Sequence, residues 1–275
     1  MPVLDLDGRP LSWREAGRGA PALLFHCSLA HSGALAGLMA GLGDRLAMRA
    51  PDLPGHGGTG LDPAGPGPGH PNRDQALEDA RRIRPATGPV HLIGHSYGAT
   101  VALRLALSDP ARVASLTLIE PVQFSLLAED DPAAFAAEMA AQAPFFDAAA
   151  AGDWPEAARL FLGRWGGAPA GADPQRTTLA LAQIPFVAAE NLVLNDPEHA
   201  GVRARDLPRL TCPVLLVAGA LSPPVAHRIL DVIAARLPAA RRLTLPAAGH
   251  MAPLTHPRPI AAAIAELVDA APAPS

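Results

Sequence analysis

The chain of 275 residues contains no lysine; its 22 basic residues are all arginine, set against 26 acidic ones for a formal net charge of -4. Without a basic excess there is no electrostatic footprint for a nucleic-acid backbone, and no nucleic-acid partner is expected. Cysteine is nearly absent. Two residues, Cys27 and Cys212, cannot make a disulfide framework in a chain this long, and they are expected as unpaired thiols. Charged residues are only 17% against 49% hydrophobic, which excludes a disordered chain and leaves ample material for a core. No apolar run reaches the roughly 18 residues that span a bilayer, so no membrane partner is expected. The start, Met1-Pro2-Val3-Leu4-Asp5, is acidic at once and lacks the basic then apolar order of a secretory signal, so a cytoplasmic location is expected by default.

What is present is an alternation of short apolar runs with helical stretches. Residues 3–6 and 11–15 flank Asp7-Gly8-Arg9-Pro10 and predict a hairpin. Strands are expected at 22–26, 48–52, 89–93, 113–119, 214–218 and 242–245, and helices at 34–45, 75–84, 99–107, 226–237 and 259–270. The stretch 55–71, rich in glycine and proline, is expected to be a loop, and the Pro/Ala tail 270–275 is expected to fray. Such alternation predicts a parallel sheet with helices on both faces. From Phe124 to about Asp206 no strand is legible; residues 133–143 and 154–165 instead predict helices inserted between two strands. That insertion holds most of the few aromatic residues, Phe124, Phe135, Phe145, Phe146, Trp154, Phe161, Trp165 and Phe186. Some of these are expected to face a substrate.

Gly94-His95-Ser96-Tyr97-Gly98 lies between a strand and a helix of small residues. A turn this tight strains its central residue and leaves no room for side chains at Gly94 and Gly98. It lifts Ser96 above the sheet end beside a helix N-terminus, where backbone amides can hold an oxyanion. A serine hydroxyl needs a base. His250, in Leu245-Pro246-Ala247-Ala248-Gly249-His250, follows the last strand and would hang over the same sheet edge. The other histidines, including His70, show no metal-ligand spacing, and neither a metal nor another cofactor is expected. His26, His56 and Asp52 are expected to fix loops, and His95 to pack against the insertion or line the pocket.

With these motifs the sequence resembles the α/β-hydrolase superfamily. Asp52-Leu53-Pro54-Gly55-His56-Gly57 is similar to the loop that the family carries after its fourth strand, and His26-Cys27-Ser28-Leu29 to its His-Gly motif. The resemblance implies an eight-stranded, mostly parallel sheet. It implies a core domain of residues 1–123 and 207–275 and a helical cap, 124–206, after strand 6. It also implies oxyanion donors at the amides of Ser28 and Tyr97, with Leu29 an alternative to Ser28.

Two departures matter. Cys27 stands where relatives carry glycine. Ser222, in Gly219-Ala220-Leu221-Ser222-Pro223, stands where they carry the acid; a serine can orient a histidine but supplies no charge. Glu120 is the substitute acid, because it ends strand 113–119, and some members of the family take their acid there. Pro121 is expected to hold Glu120 extended. Asp206 and Asp231 are weaker alternatives. The expected activity is hydrolysis of a carboxylic ester or related small acyl substrate by Ser96, His250 and Glu120. Thioesterase, acyltransferase and carbon–carbon hydrolase chemistry would use the same parts. A non-catalytic receptor or scaffold is the alternative from another class.

Overall fold

The central strands read as unbroken apolar runs because both of their faces are covered. In the computed structural model, which describes residues 1–62, 72–166 and 174–271, the strands β5 (Val90–His95) and β7 (Val214–Gly219) are buried at every position. His70, the later part of the 55–71 loop and the last residues of the tail lie outside the described residues. The remaining strands are β1 (Val3–Leu6), β2 (Arg9–Ala16), β3 (Ala20–Phe25), β4 (Leu46–Pro51), β6 (Val113–Ile119) and β8 (Arg241–Leu245). All eight form one sheet in the order β1-β2-β4-β3-β5-β6-β7-β8. Only β1 with β2 and β2 with β4 pair antiparallel. The fold is thus the eight-stranded, mostly parallel arrangement expected.

Alternate side chains along each strand feed two cores. Leu23, Leu92, Leu118 and Leu216 pack against α3 (Tyr97–Ser108) and α8 (Pro224–Arg236), with α2 (Asn72–Ile83) beyond them. Leu24, Ile93, Ile119 and Val217 pack on the other face against α1 (Ala36–Leu42) and α10 (Pro257–Ala270). The predicted helix 34–45 is shorter than expected; its start is the 3-10 turn Ser32–Leu35 and its end turns at Gly43.

Between β6 and β7 the described residues form helices and no strand, as expected. This stretch holds α4 (Leu126–Asp130), α5 (Pro132–Ala150), α6 (Trp154–Trp165) and α7 (Pro174–Leu194), of which α4 and α7 were not legible in advance. The start of α6 was legible: Asp153 caps it by accepting the Glu156 N–H at 3.1 Å, and Pro155 occupies its first turn. Within α7, the window Thr177–Leu194 is 18 residues long with a mean hydropathy of 1.4, enough by length and composition alone to cross a bilayer. The same window buries Gln183, Glu190 and Asn191 and supplies Ile184 and Val187 to the insertion's own core with Phe145 and Ala157.

Parallel register places the functional edge. His95 pairs with Ile119, and Ile119 with Val217. The residues just beyond these positions therefore emerge side by side at the carboxyl ends of β5, β6 and β7, where open α/β sheets place their sites.

Candidate active site

Ser96 alone separates β5 from α3, and it turns the chain at φ 56° and ψ −120°. Backbone strain of this kind costs on the order of 1–3 kcal/mol and persists only when the surroundings over-determine it. Here the Ser96 N–H donates to Ile119 O and its carbonyl accepts from the Ala99 N–H, both at 2.9 Å. A Cβ on Gly94 would lie 2.3 Å from Gly98 O, and one on Gly98 would lie 2.3 Å from Phe25 O. The two glycines are thus required by close backbone approach, as the motif predicted.

His250 arrives on the loop between β8 and α9 (Ala252–Thr255). Its Nε2 lies 2.9 Å from Ser96 Oγ and its Nδ1 lies 2.6 Å from Glu120 Oε2. A carboxylate only accepts, so Nδ1 carries the proton and Nε2 is left to accept from the serine hydroxyl. All three side chains are buried.

Glu120 is not extended, contrary to the expectation from Pro121; its φ is 49°. Its N–H still donates to Val217 O at 3.0 Å, so the β6–β7 ladder continues through it while the side chain turns towards the loop after β7. There the Gly219 N–H donates to Oε1 at 2.7 Å, and the Ser222 hydroxyl donates to the same oxygen. Burial pushes the Glu120 carboxyl up. The bond from His250 and that ring's charge, with the bonds from Gly219 and Ser222, overcome it and hold the pKa below the usual carboxylate range. Ser222, which could have oriented the histidine, thus holds Glu120 instead. Asp231 donates no help: it sits on α8 paired with Arg242 at 2.8 Å. Asp206 lines a separate groove with Arg81 and Arg209.

The other loops are latched by neutral imidazoles. His26 donates from Nδ1 to Cys27 O at 2.7 Å and accepts the Leu53 N–H at 2.9 Å. Burial and the neighbouring His56 push its pKa down to about 3. His56 donates to Pro54 O at 2.9 Å and accepts the Leu29 N–H at 3.2 Å. That bond engages the Leu29 amide, while Ser28 lines the cavity beside Ser96. Asp52 ties the same loops together, accepting from the Ser32 N–H at 2.8 Å and the Gly58 N–H at 2.9 Å. His95 is not among the residues that line the cavity over Ser96. It lies beside His250, its Nε2 donating to His250 O at 2.8 Å, and burial pushes its pKa down to about 3.

A cavity of about 520 Å³ opens over Ser96. Cys27, Ser28, Leu29, His31, Met251 and Leu254 line it from the core, and Phe161, Leu162, Trp165 and Leu179 from the helical insertion. Of the aromatics expected to face a substrate, only Phe161 and Trp165 reach this cavity. Phe145, Phe146 and Trp154 belong to the insertion's own core, and Phe124 packs beneath Trp165 in the main core. The two cysteines are not joined. Among the described residues, no three His, Cys, Asp or Glu side chains converge as a metal site would require.

The model of the alpha/beta hydrolase family matches residues 19–263. The chain belongs to the alpha/beta hydrolase family. Among its relatives, the pimeloyl-[acyl-carrier protein] methyl ester esterase of Nitrosomonas europaea is 27% identical over 253 residues, 88% of this chain and 92% of that one. The protein of the same name from Methylococcus capsulatus is 35% identical over 106 residues, so the match spans only 38% of that relative and 38% of this chain. Among solved structures, the enol-lactonase from Burkholderia xenovorans LB400 has a TM-score of 0.71 at 17% identity, covering 98% of this chain and 100% of that one; the likeness is one of fold.

Some features of this alpha/beta hydrolase carried no sequence signal. The Gly219 amide is anonymous in a sequence, and nothing local to Trp165 reveals that its ring centroid lies 4.6 Å from that of His250. The bond from His95 to the carbonyl of His250 bridges 155 residues and was equally hidden.

Proposed function

We propose that this alpha/beta hydrolase cleaves a carboxylic ester through an acyl-enzyme on Ser96. The observation that carries the proposal is the continuous buried chain of hydrogen bonds from Ser96 Oγ through His250 to Glu120, at 2.9 Å and 2.6 Å. Ser96 Oγ adds to the ester carbonyl carbon as His250 Nε2 takes its proton. The amides of Ser28 and Tyr97 are the assigned donors to the oxyanion that forms. Collapse of the adduct breaks the bond to the alcohol oxygen, which leaves with the proton from His250. Water then repeats the sequence on the acyl-enzyme, releasing the acid and restoring Ser96. Glu120 holds His250 in the competent tautomer and stabilises the imidazolium.

The esterase names of the relatives support a carboxylic ester over the other acyl chemistries, and pimeloyl methyl esters are a natural first substrate to assay. The scaffold alternative arose from Ser222 at the expected acid position, and Glu120 beside His250 removes that motive. The helical insertion acts as the cap: Phe161, Leu162 and Trp165 form an apolar wall of the cavity over the serine. The test is labelling by a fluorophosphonate probe together with turnover of p-nitrophenyl acyl esters. Parent protein is labelled at Ser96 and turns over, whereas Ser96→Ala does neither while keeping its melting temperature. Hydrolysis by Ser96→Ala at the parent rate would sink the proposal.

A further inference from the structure

The loop after β7 carries a relationship that the proposed chemistry leaves unexplained. Its Gly219 amide and Ser222 hydroxyl both donate to one oxygen of Glu120, Oε1. We propose that Ser222 is a positioning residue for the reaction, clamping one oxygen of Glu120 so that the carboxylate plane is fixed with its other oxygen on His250. This rests on Glu120 being the acid of the Ser96–His250 site.

Three observations give the clamp its purpose. First, the acid is a glutamate hung from a left-handed backbone position, φ 49°. Its terminal torsion is broad, so the chain itself does not fix the plane of the carboxylate. Two donors converging on one oxygen do fix it. Second, the clamp is built as one piece. The Ser222 N–H donates to Gly219 O at 3.1 Å, closing a turn that brings both donors to the same side.

Third, that turn is joined to the segment carrying the base. The Leu221 N–H donates to Ala248 O and the Ala220 N–H to Leu245 O, each at 2.9 Å. A Cβ on Gly219 would lie 2.3 Å from Ala248 O, so the two loops touch backbone to backbone. Ala248 is two residues before His250. The donors that set the acid and the loop that sets the base are therefore one rigid body, and Glu120 is pinned to it by the bonds at Oε1. Ser222 does not line the cavity over Ser96, so its hydroxyl acts through Glu120 and not on substrate.

The hydroxyl also neutralises part of the carboxylate's charge. The titratable groups facing that carboxylate are His250, across the 2.6 Å bond, and the buried, neutral His95. Without the hydroxyl the Glu120 carboxylate takes up a proton more readily, and the acid limb of kcat/KM moves to higher pH.

The experiment compares Ser222→Ala, Ser222→Thr and Glu120→Gln with the parent on p-nitrophenyl butyrate, measuring kcat, KM, the pH profile and the melting temperature. Ser222→Ala is expected to lower kcat roughly tenfold to a hundredfold, the worth of a hydrogen bond to a charged group, with KM little changed and the acid limb moved up. Ser222→Thr, which keeps the hydroxyl, recovers most of the rate and the parental profile. If Ser222→Ala fails to fold, the nearly isosteric Ser222→Cys, whose thiol is a weak donor, carries the same comparison. Parental kcat and an unmoved acid limb in the hydroxyl-less variant, beside a crippled Glu120→Gln, would overturn the clamp and leave the acid assignment standing. Parental turnover by Glu120→Gln would overturn the acid itself, and the clamp with it.

Discussion

Two of the three residues in the proposed triad, Ser96 and Glu120, sit at positive φ, at 56° and 49°. Neither is glycine, so each position stores strain that the sheet edge must hold. For Glu120 the return is reach: the side chain crosses to the loop after β7 and still meets His250 at 2.6 Å. Glu120→Gln keeps the shape and the contacts at Oε1 but removes the charge. A loss of about 10²–10⁴ in kcat is expected, on the scale of the corresponding change in a serine protease triad. Adding Ser222→Asp to that variant returns a carboxylate from the neighbouring loop, and steady-state assays should show part of the lost rate restored. A double variant no faster than Glu120→Gln would mean that position 222 cannot serve the histidine.

At the scale of elements, α6 brings Phe161, Leu162 and Trp165 to the cavity wall. Its limits are set locally, by the Asp153 cap at the start and by Gly166 at φ 73° at the end. Phe161→Ala should lengthen the acyl pocket. Each further methylene buried is worth about 0.8 kcal/mol, or roughly fourfold in kcat/KM, so the optimum along a p-nitrophenyl ester series should move to longer chains. An unmoved optimum would show that Phe161 does not bound the acyl group. A second element-level contact ties the edge hairpin to α2. Arg9 meets Asp79 with two bonds, at 2.6 Å and 3.0 Å, and Asp79 is 2% exposed. Burial already pushes the Asp79 carboxyl up against the pull of Arg9. Arg9→Met leaves that carboxylate buried and unpaired, at a cost of about 3–5 kcal/mol. Calorimetry should show a melting temperature lower by roughly 6–20 °C.

For the whole molecule the buried histidines set an acid limit. His26 and His95 are pushed down to about 3 by burial and neighbouring rings, and burial also pushes His56 below its usual value. Their folded pKa values lie below the unfolded value near 6.5, so the unfolded chain binds more protons between those limits. Stability is therefore held above about pH 6.5 and lost as pH falls towards 3, by up to about 1.4 kcal/mol per pH unit for each histidine. Asp79 and Glu138, whose carboxyls burial pushes up, act in the opposite sense nearer the carboxylate range. Denaturant melts from pH 7 to 5 should show the midpoint falling, with a shallower fall in His26→Gln. A midpoint independent of pH in that range would show that these rings are protonated in the folded state.

The strand and helix order, the helical insertion and the Ser96 turn were legible in the sequence because local rules decide them. Period, apolar runs, caps and glycines at a tight turn act over a few residues, and the Gly94 and Gly98 requirement is of this kind. His250 and Glu120 were legible as positions at strand ends, since parallel register brings those ends to one edge. Their geometry was not. The left-handed turn at Glu120 overrode the local bias from Pro121, because the site bonds at Gly219 and Ser222 outweigh a preference of one residue. The bond from His95 to His250, the exclusion of most insertion aromatics from the cavity and the extent of α7 likewise depended on packing between distant segments. A sequence specifies which groups are available at the sheet edge. How the carboxylate and the ring are oriented is decided only when segments more than a hundred residues apart share one buried volume and must satisfy each other's hydrogen bonds.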